Sequence, residues 1–258
     1  MLLWIESQPT PVIALLVFAL CYTLAAIVFF VTATMSRRLI ADQLKATTPV
    51  MLTPLAIISG LLIAFLASRV WSNVDRANTY IAQEASAIRQ SVLFADTLPE
   101  DTRAAVRAAL KEYLQFIESE DWPAMAQGRA NLRRIPPGLT DAMKAFLSFA
   151  PKEPGQQVAQ ERAAIAVEHA LEARRHRIVL SQATIAPIQW SAIFLLDVLI
   201  LLPIAFIHLD RPKTTVVNLI VFSTAMACCL VLLMANDRPF ATGGITIKPD
   251  ALRDVGLN

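Results

Sequence analysis

The sequence has few of the residues from which catalytic and metal sites are usually built. It contains three histidines and three cysteines, with no Cys-x-x-Cys pair or other metal-ligand spacing. It also lacks a glycine-rich phosphate loop, a nucleophile elbow and a His-Glu-x-x-His motif. His169 and His176 lie seven residues apart on one face of a predicted helix, but no cysteine accompanies them. We therefore expect no metal, no cofactor and no enzymatic activity.

Two further shortages argue against other classes of protein. The formal net charge is only +2, which is too small for a protein that binds nucleic acid. The cysteines, Cys21, Cys228 and Cys229, all fall in apolar runs, where a free thiol behaves as a small apolar core residue. We therefore expect no disulfide framework.

Charge is missing altogether from three long stretches of the chain. Residues 7–36, 46–68 and 214–236 contain no Asp, Glu, Lys or Arg, and Asp197 is the one such residue in 187–209. A helix needs ~20 apolar residues to cross a bilayer, so each stretch is long enough for one crossing. The hydrophobic content of 55% agrees with a membrane protein. No positive charge precedes the first stretch, so we expect it to stay in the mature protein and not to act as a signal peptide.

The fold class predicted from these runs is an all-α membrane protein. It has four transmembrane helices and a helical extramembrane module between helices 2 and 3. The predicted helices cover about residues 10–35, 50–70, 187–209 and 214–236. The corresponding domains are helices 1 and 2 (1–70), the module (71–186), helices 3 and 4 (187–236) and a C-terminal tail (237–258).

The segment between the second and third runs is polar and has helical periodicity. Its first apolar residues recur every three or four positions, in a stripe of Val70, Val74, Ala77, Ile81, Ala85, Ile88 and Val92. Helix 2 is therefore predicted to leave the membrane without a break. Leu98-Pro99, followed by two acidic residues, predicts the start of the next helix, and later helices are predicted near residues 140–149 and 156–182. No segment alternates convincingly, so no sheet is predicted.

Asp197 is the most informative single residue, because it is the only formal charge in its run. An ionisable group near the bilayer midplane is unfavourable in lipid, so it should face other helices or a water-filled path. Counting back from the short connection between helices 3 and 4 places it at the depth of Ser223 and Thr224. Two interpretations stay open: a protonated Asp197 hydrogen-bonded to one of these hydroxyls in a structural role, or an ion or proton pathway.

Helix 2 carries small residues spaced four apart, namely Ala56, Gly60, Ala64 and Ser68. Such ladders let helix backbones approach closely in lipid. The ladder is interpreted as a packing face, with a pore-lining face as the alternative. Together with the stripe it offers more packing surface than one four-helix unit needs, which predicts a homo-oligomer.

The charges of the short connections predict the orientation. Because the module is a single loop, both short connections must share one side of the membrane. Their basic residues outnumber their acidic ones, with Arg37, Arg38, Lys45, Arg211 and Lys213 against Asp42 and Asp210. The positive-inside rule therefore places the short connections in the cytoplasm, and the module and both termini outside.

Two blocks of sequence identify a family resemblance. The stretch from Trp71 to Gly128 contains Glu84-Ala85, a Leu-Pro helix start and Trp122-Pro123, and the tail begins Asp237-Arg238-Pro239-Phe240. In this order the blocks resemble a family of bacterial membrane proteins that carry the bestrophin-like domain. The resemblance covers most of the chain. Two departures are Ala-Thr-Gly-Gly in the tail, where relatives usually have one Gly, and Ser68-Arg69 at the end of helix 2, where relatives are apolar.

The resemblance implies a protein of the bacterial inner membrane with a distant likeness to bestrophins. Bestrophins are oligomeric ion channels whose second helix lines the pore, so the resemblance implies a pentamer, permeating ions and pore-lining candidates Ser59, Ile63 and Leu66. Bestrophins keep their bulk in the cytoplasm, which conflicts with the orientation predicted from the loops. The alternative function is a non-conducting membrane scaffold or envelope sensor whose module binds a partner.

A basic run, Arg174-Arg175-His176-Arg177, lies about ten residues before helix 3. One interpretation is a solvated face or a surface for anionic lipid headgroups. The other is a positive vestibule that concentrates anions when it is repeated around an oligomer axis.

Overall fold

The computed structural model describes residues 8–35, 41–207, 211–243 and 246–256, with only the backbone described for residues 35 and 41–49. Every regular element within these ranges is a helix, which confirms the predicted all-α fold. The helices are α1 (Thr10–Met35), α2 (Ala41–Ala95), α3 (Glu100–Phe116), α4 (Trp122–Ala126), α5 (Pro137–Ser148), α6 (Pro154–Ser181), α7 (Pro187–Ile207), α8 (Pro212–Asn236) and α9 (Asp250–Arg253), and a π-helical turn (Ile117–Asp121) joins α3 to α4.

Four of these helices, α1, α2, α7 and α8, are long and apolar enough to cross a membrane. They coincide with the four predicted spans. Helix 1 has the predicted bounds, and α7 is described as far as Ile207. His208, Leu209 and the loop residues Arg37, Arg38 and Asp210 lie outside the described residues, as do the side chains of Asp42 and Lys45.

The second span continues as one helix well beyond the apolar run, as the stripe predicted. α2 covers 55 residues from Ala41 to Ala95. Between Pro54 and Pro99 the sequence contains no proline and one glycine, Gly60, so nothing interrupts the helix. The stripe residues Val70, Ala77, Ile81, Ala85 and Ile88 are all buried.

The chain divides into two compact units. The described residues of the first, the membrane unit, fall within Met1–Ser72, Thr184–Asp237 and Gly243–Ile245. Those of the second, the module, fall within Asn73–Ala183, Arg238–Thr242 and Thr246–Asn258. Most of the described residues of the C-terminal tail belong to the module.

The membrane unit buries one apolar face of each of its helices. The larger of its two cores joins all four spans, with Ile13, Val17, Cys21, Leu66, Val70, Ile185, Trp190, Ile193, Met226, Ala227, Leu230, Leu233 and Met234. The smaller core joins α1, α7 and α8, with Ala25, Val28, Leu201, Ala205 and Leu219. Since lipid is as apolar as these side chains, close packing and not the hydrophobic effect holds the helices together.

The module has a single core into which α2, α3, α5 and α6 each turn an apolar face. The face of α3 that enters this core includes Val106, Leu110 and Tyr113, which are buried. The backbones of α3 and α5 pass unusually close at Gly138. A Cβ atom on this glycine would lie 2.3 Å from the carbonyl oxygen of Ala109 and 2.6 Å from the backbone nitrogen of Tyr113. Only glycine fits this crossing.

Gly138→Ala should therefore destabilise the module by about 3 kcal/mol, since overpacking against fixed backbone atoms forces the two helices apart. Thermal unfolding of the purified protein in detergent, followed by circular dichroism, measures the change. Gly155→Ala is the matched control, because nothing lies within 4 Å of a Cβ atom there and alanine favours a helix. Equal melting temperatures for Gly138→Ala and Gly155→Ala would contradict the close approach.

Candidate functional site

Two fully buried side chains of opposite charge meet in the module. Glu84 of α2 and Arg177 of α6 pair through two hydrogen bonds, from Arg177 Nε to Glu84 Oε2 at 2.7 Å and from Nη2 to Oε1 at 3.0 Å. The hydroxyl of Tyr113, on α3, also donates to Glu84 Oε1. Paired donors of this kind suit a carboxylate, and charge-assisted bonds are the strong ones. Three helices thus converge on one carboxylate.

A second ion pair lies beside the first. Arg174, one turn before Arg177 on α6, donates from Nε and Nη2 to the two carboxylate oxygens of Asp121, at 2.7 and 2.9 Å. Asp121 is the last residue of the π-helical turn. Single π-helical turns inside helices are frequent at functional sites. Arg177 Nη2 lies 3.6 Å from Asp121 Oδ2, which links the two pairs. Two carboxylates and two guanidinium groups make the cluster formally neutral.

Aromatic and sulfur groups enclose the same cluster. The guanidinium carbon of Arg177 lies 5.2 Å from the ring centre of Trp122, a distance at which the ring face attracts a cation. Arg177 Nη1 lies 3.3 Å from the sulfur of Met125. Phe240, from the tail, packs edge-on against Trp122 with ring centres 5.5 Å apart. The tail segment is therefore part of the module's core.

Burial and the neighbouring charges shift the pKa values of two members of the cluster. Burial raises the pKa of Tyr113 well above its usual value, and the charge of Glu84 raises it further, so the phenol stays neutral. Burial alone lowers the pKa of Arg177, but the charge and hydrogen bonds of Glu84 outweigh this effect and raise it, so the guanidinium stays charged. The cluster ties three helices of the module together.

The basic run is thereby reinterpreted. Arg174 and Arg177 are buried in ion pairs, so neither a lipid-binding surface nor an open vestibule describes them. Arg175 and His176 are exposed, and His176 stacks on Tyr80 with ring centres 4.9 Å apart. The sequence did contain a signal for this outcome, because Arg174 and Arg177 follow the buried alanines of α6 at helical spacing.

The motif residues behind the family resemblance divide between the two units. Glu84, Ala85, Pro239 and Phe240 are buried in the module, where Trp122 is half-buried and Pro123 exposed. Arg238 Nη2 donates to the carbonyl oxygen of Ala126 at 3.3 Å. In the membrane unit, both carboxylate oxygens of Asp237 accept from the backbone N–H of Ile185, at 2.9 and 3.1 Å. Trp71 is exposed.

The intramembrane acid is buried but has no protein partner. Neither carboxylate oxygen of Asp197 has a hydrogen-bond partner among the described residues, and the same holds for Ser223 Oγ. Thr224 instead bonds to the hydroxyl of Tyr22 at 3.0 Å and to the carbonyl oxygen of Ile220 at 2.7 Å. The predicted structural hydrogen bond from Asp197 to Ser223 or Thr224 is therefore not formed.

The predicted pore-lining residues of α2 and its small-residue ladder lie on different faces of the helix. Ser59 and Leu66, predicted to line a pore, are only 4% and 3% exposed, and Ile63 packs against the same internal core. A residue that lines a pore between subunits is exposed in a single chain, so this set lacks the required exposure. The ladder of Ala56, Gly60, Ala64 and Ser68 is exposed along its whole length.

One polar groove of about 440 Å³ lies on the module between α2 and α6. Its lining includes Tyr80, Gln83, His169, Glu172 and His176. Across the described part of the chain, no three His, Cys, Asp or Glu side chains come close enough together to hold a metal ion. The groove offers hydrogen-bonding groups on the surface of the module.

Comparison with known proteins gives one match. A sequence model of the bestrophin-like domain matches residues 19–252, which includes both motif blocks, the spans α2, α7 and α8, and α1 from residue 19 onward. No curated protein and no solved structure matches the chain. The match rests on a stretch that begins within α1 and ends within α9.

Glu84→Gln should destabilise the module by about 3 kcal/mol, because it leaves Arg177 buried beside a neutral partner. The midpoint of thermal unfolding in detergent measures the loss. Glu100→Gln is the control, since the Glu100–Arg103 pair is exposed and contributes less than about 1 kcal/mol. Replacing both charges, in Glu84→Leu with Arg177→Met, should recover part of the loss. Wild-type melting of Glu84→Gln would show that the pair does not hold the module together.

Proposed function

Because the chain belongs to the bestrophin-like family, we propose that it assembles as a homo-oligomer in the bacterial inner membrane and conducts ions. The four apolar helices provide the membrane part. Helix α2 lies near the oligomer axis in this proposal, as the second helix does in bestrophins. A pentamer follows if the likeness to bestrophins extends to the number of subunits.

The exposed face of α2 carries the proposal. Only 11% of its apolar window is buried inside the chain, against 28% to 39% for the other three spans. The small-residue ladder runs along this exposed face, and nothing lies within 4 Å of a Cβ atom at Gly60. A helix face that only contacts lipid can carry large apolar side chains. A row of small side chains permits the backbone of a second helix to approach closely. This supports contact between copies along α2.

The burial of Ser59 and Leu66 changes which residues are expected near the axis. The side of α2 that contains them packs against the chain's own core. The residues that remain for the axis are those of the ladder, with exposed apolar neighbours such as Ile57, Leu61 and Phe65. We therefore assign Gly60 and Ala64, and not Ser59 and Leu66, to the region of subunit contact.

A non-conducting scaffold or sensor is the second candidate. The module supports it, because its buried charges are paired internally and its polar groove presents hydrogen-bonding groups on the surface. In that case the oligomer would position modules for a partner and no ion would cross. Flux measurements separate the two functions.

Purified protein in sealed liposomes should conduct anions, cations or protons, and Gly60→Leu should lower both the flux and the oligomeric fraction in native mass spectrometry. The leucine has room within the chain, so its effect reports on contact between copies. Ala19→Leu, at an exposed position of α1, is the matched control and should change neither. Absence of flux for all three kinds of ion, with an intact oligomer, would favour the scaffold. A purely monomeric wild type would exclude the oligomer.

The orientation proposed from the loop charges places the module outside the cytoplasm. Single cysteines at Gln127, which is exposed in the module, and at Gln43, in the first turn of α2, test it in a background without Cys21, Cys228 and Cys229. An impermeant thiol reagent applied to intact cells should label the cysteine at position 127 and leave position 43 unlabelled. The opposite pattern would place the module in the cytoplasm, as in bestrophins.

A further inference from the structure

The membrane unit holds three polar side chains at one level. Cys21 of α1, Asp197 of α7 and Ser223 of α8 each lie near the midpoint of their helix and are buried. Each follows a buried core residue by one helical turn, and these core residues are Val17, Ile193 and Leu219. The three polar groups therefore point into the interior of the bundle and not toward lipid.

The acid at this level has no compensation from the chain. Asp197 and Ser223 are each 1% exposed, and their side-chain oxygens have no hydrogen-bond partner among the described residues. A buried carboxylate without a partner is strongly unfavourable in apolar surroundings, whereas the neutral acid avoids the uncompensated charge. Unpartnered buried polar groups in a folded protein call for an explanation of this kind.

From this arrangement we propose that Asp197 is a proton-binding site inside the membrane. Its carboxylate takes up one proton to form an O–H bond and a neutral acid, and releases the same proton to restore the carboxylate. No group is oxidised or reduced. Among the described residues no group hydrogen-bonds to either oxygen, so the bound proton is what neutralises the carboxylate. The inference goes beyond conduction, because the site binds its proton whether or not ions cross the protein.

The donor set fits a proton and not a metal cation. Hard cations take six or more oxygen ligands, whereas this level offers the two oxygens of Asp197 and the hydroxyl of Ser223. In the ranges that the structure describes, no three His, Cys, Asp or Glu side chains are placed to hold a metal ion. A proton needs only one oxygen.

The groups around Asp197 carry no charge. The apolar stretches of α1, α2 and α8 contain no Asp, Glu, Lys or Arg at this level. Their titratable groups near this depth are Cys21 and Tyr22 of α1 and Cys228 of α8, and α2 contributes none. The hydrogen bond between Tyr22 and Thr224 extends the polar level to the exposed side of the helices. No charged side chain at this level therefore balances the negative charge of Asp197 when it loses its proton.

Dicyclohexylcarbodiimide, which reacts with protonated carboxyl groups in apolar surroundings, tests the proposal on the full-length protein in liposomes. Mass spectrometry of the peptides should show an adduct at Asp197 that decreases as pH rises from about 5 to about 9, a range chosen to lie above the ordinary titration of aspartate. An infrared difference spectrum over the same range should show loss of a carboxylic acid C=O band. The band should be absent in Asp197→Asn and present in Asp141→Asn, which changes an exposed carboxylate of the module.

Ser223→Ala provides a second variant that keeps the acid in place. Because Ser223 Oγ makes no hydrogen bond to Asp197, removing this hydroxyl should leave both the pH-dependent adduct and the band. Three results would overturn the proposal: no adduct and no band at any pH, an equal adduct at every pH, which marks a permanently protonated structural acid, or suppression of the adduct by sodium chloride but not by choline chloride, which marks a bound cation. None of these measurements depends on flux, so failure of the channel proposal and failure of this one are separate.

Discussion

The module depends on the buried pair formed by Glu84 and Arg177. Both side chains are fully buried, and two charges removed from water are stable only when each satisfies the other with good geometry. The carboxylate of Glu84 also accepts a hydrogen bond from Tyr113. The contacts therefore form only when α2, α3 and α6 are all in position. The neighbouring pair of Asp121 and Arg174 adds the π-helical turn to the same requirement. The two linked ion pairs thus fix the positions of α2, α3, α6 and the π-helical turn.

The same cluster gives a structural role to several residues by which the family is recognised. Glu84 supplies the buried carboxylate, Trp122 lies against the guanidinium of Arg177, and Phe240 packs on Trp122. These residues are far apart in the sequence and meet in one core. They maintain the architecture of the module.

Acidic side chains in the two units have opposite surroundings. In the module, Glu84 and Asp121 are each bound by an arginine. In the membrane unit, Asp197 is equally buried but has no partner among the described residues. A paired carboxylate stabilises a fold, whereas an unpaired one in apolar surroundings is sensitive to the gain or loss of a proton. The presence of a partner, and not burial, distinguishes the acids of the module from Asp197.

The sequence by itself determined the features that depend on neighbouring residues along the chain. Apolar length gave the four spans, and the three-to-four periodicity gave the continuation of α2 to Ala95. Only the tertiary structure decided which faces are buried. Arg177 looked like part of a basic surface until its partner, 93 residues away, was placed beside it, and Ser59 looked like a pore residue until the core of the membrane unit covered it. Local patterns fix an element and its periodicity, but the partner of each face is set by contacts between distant segments, which no single segment encodes.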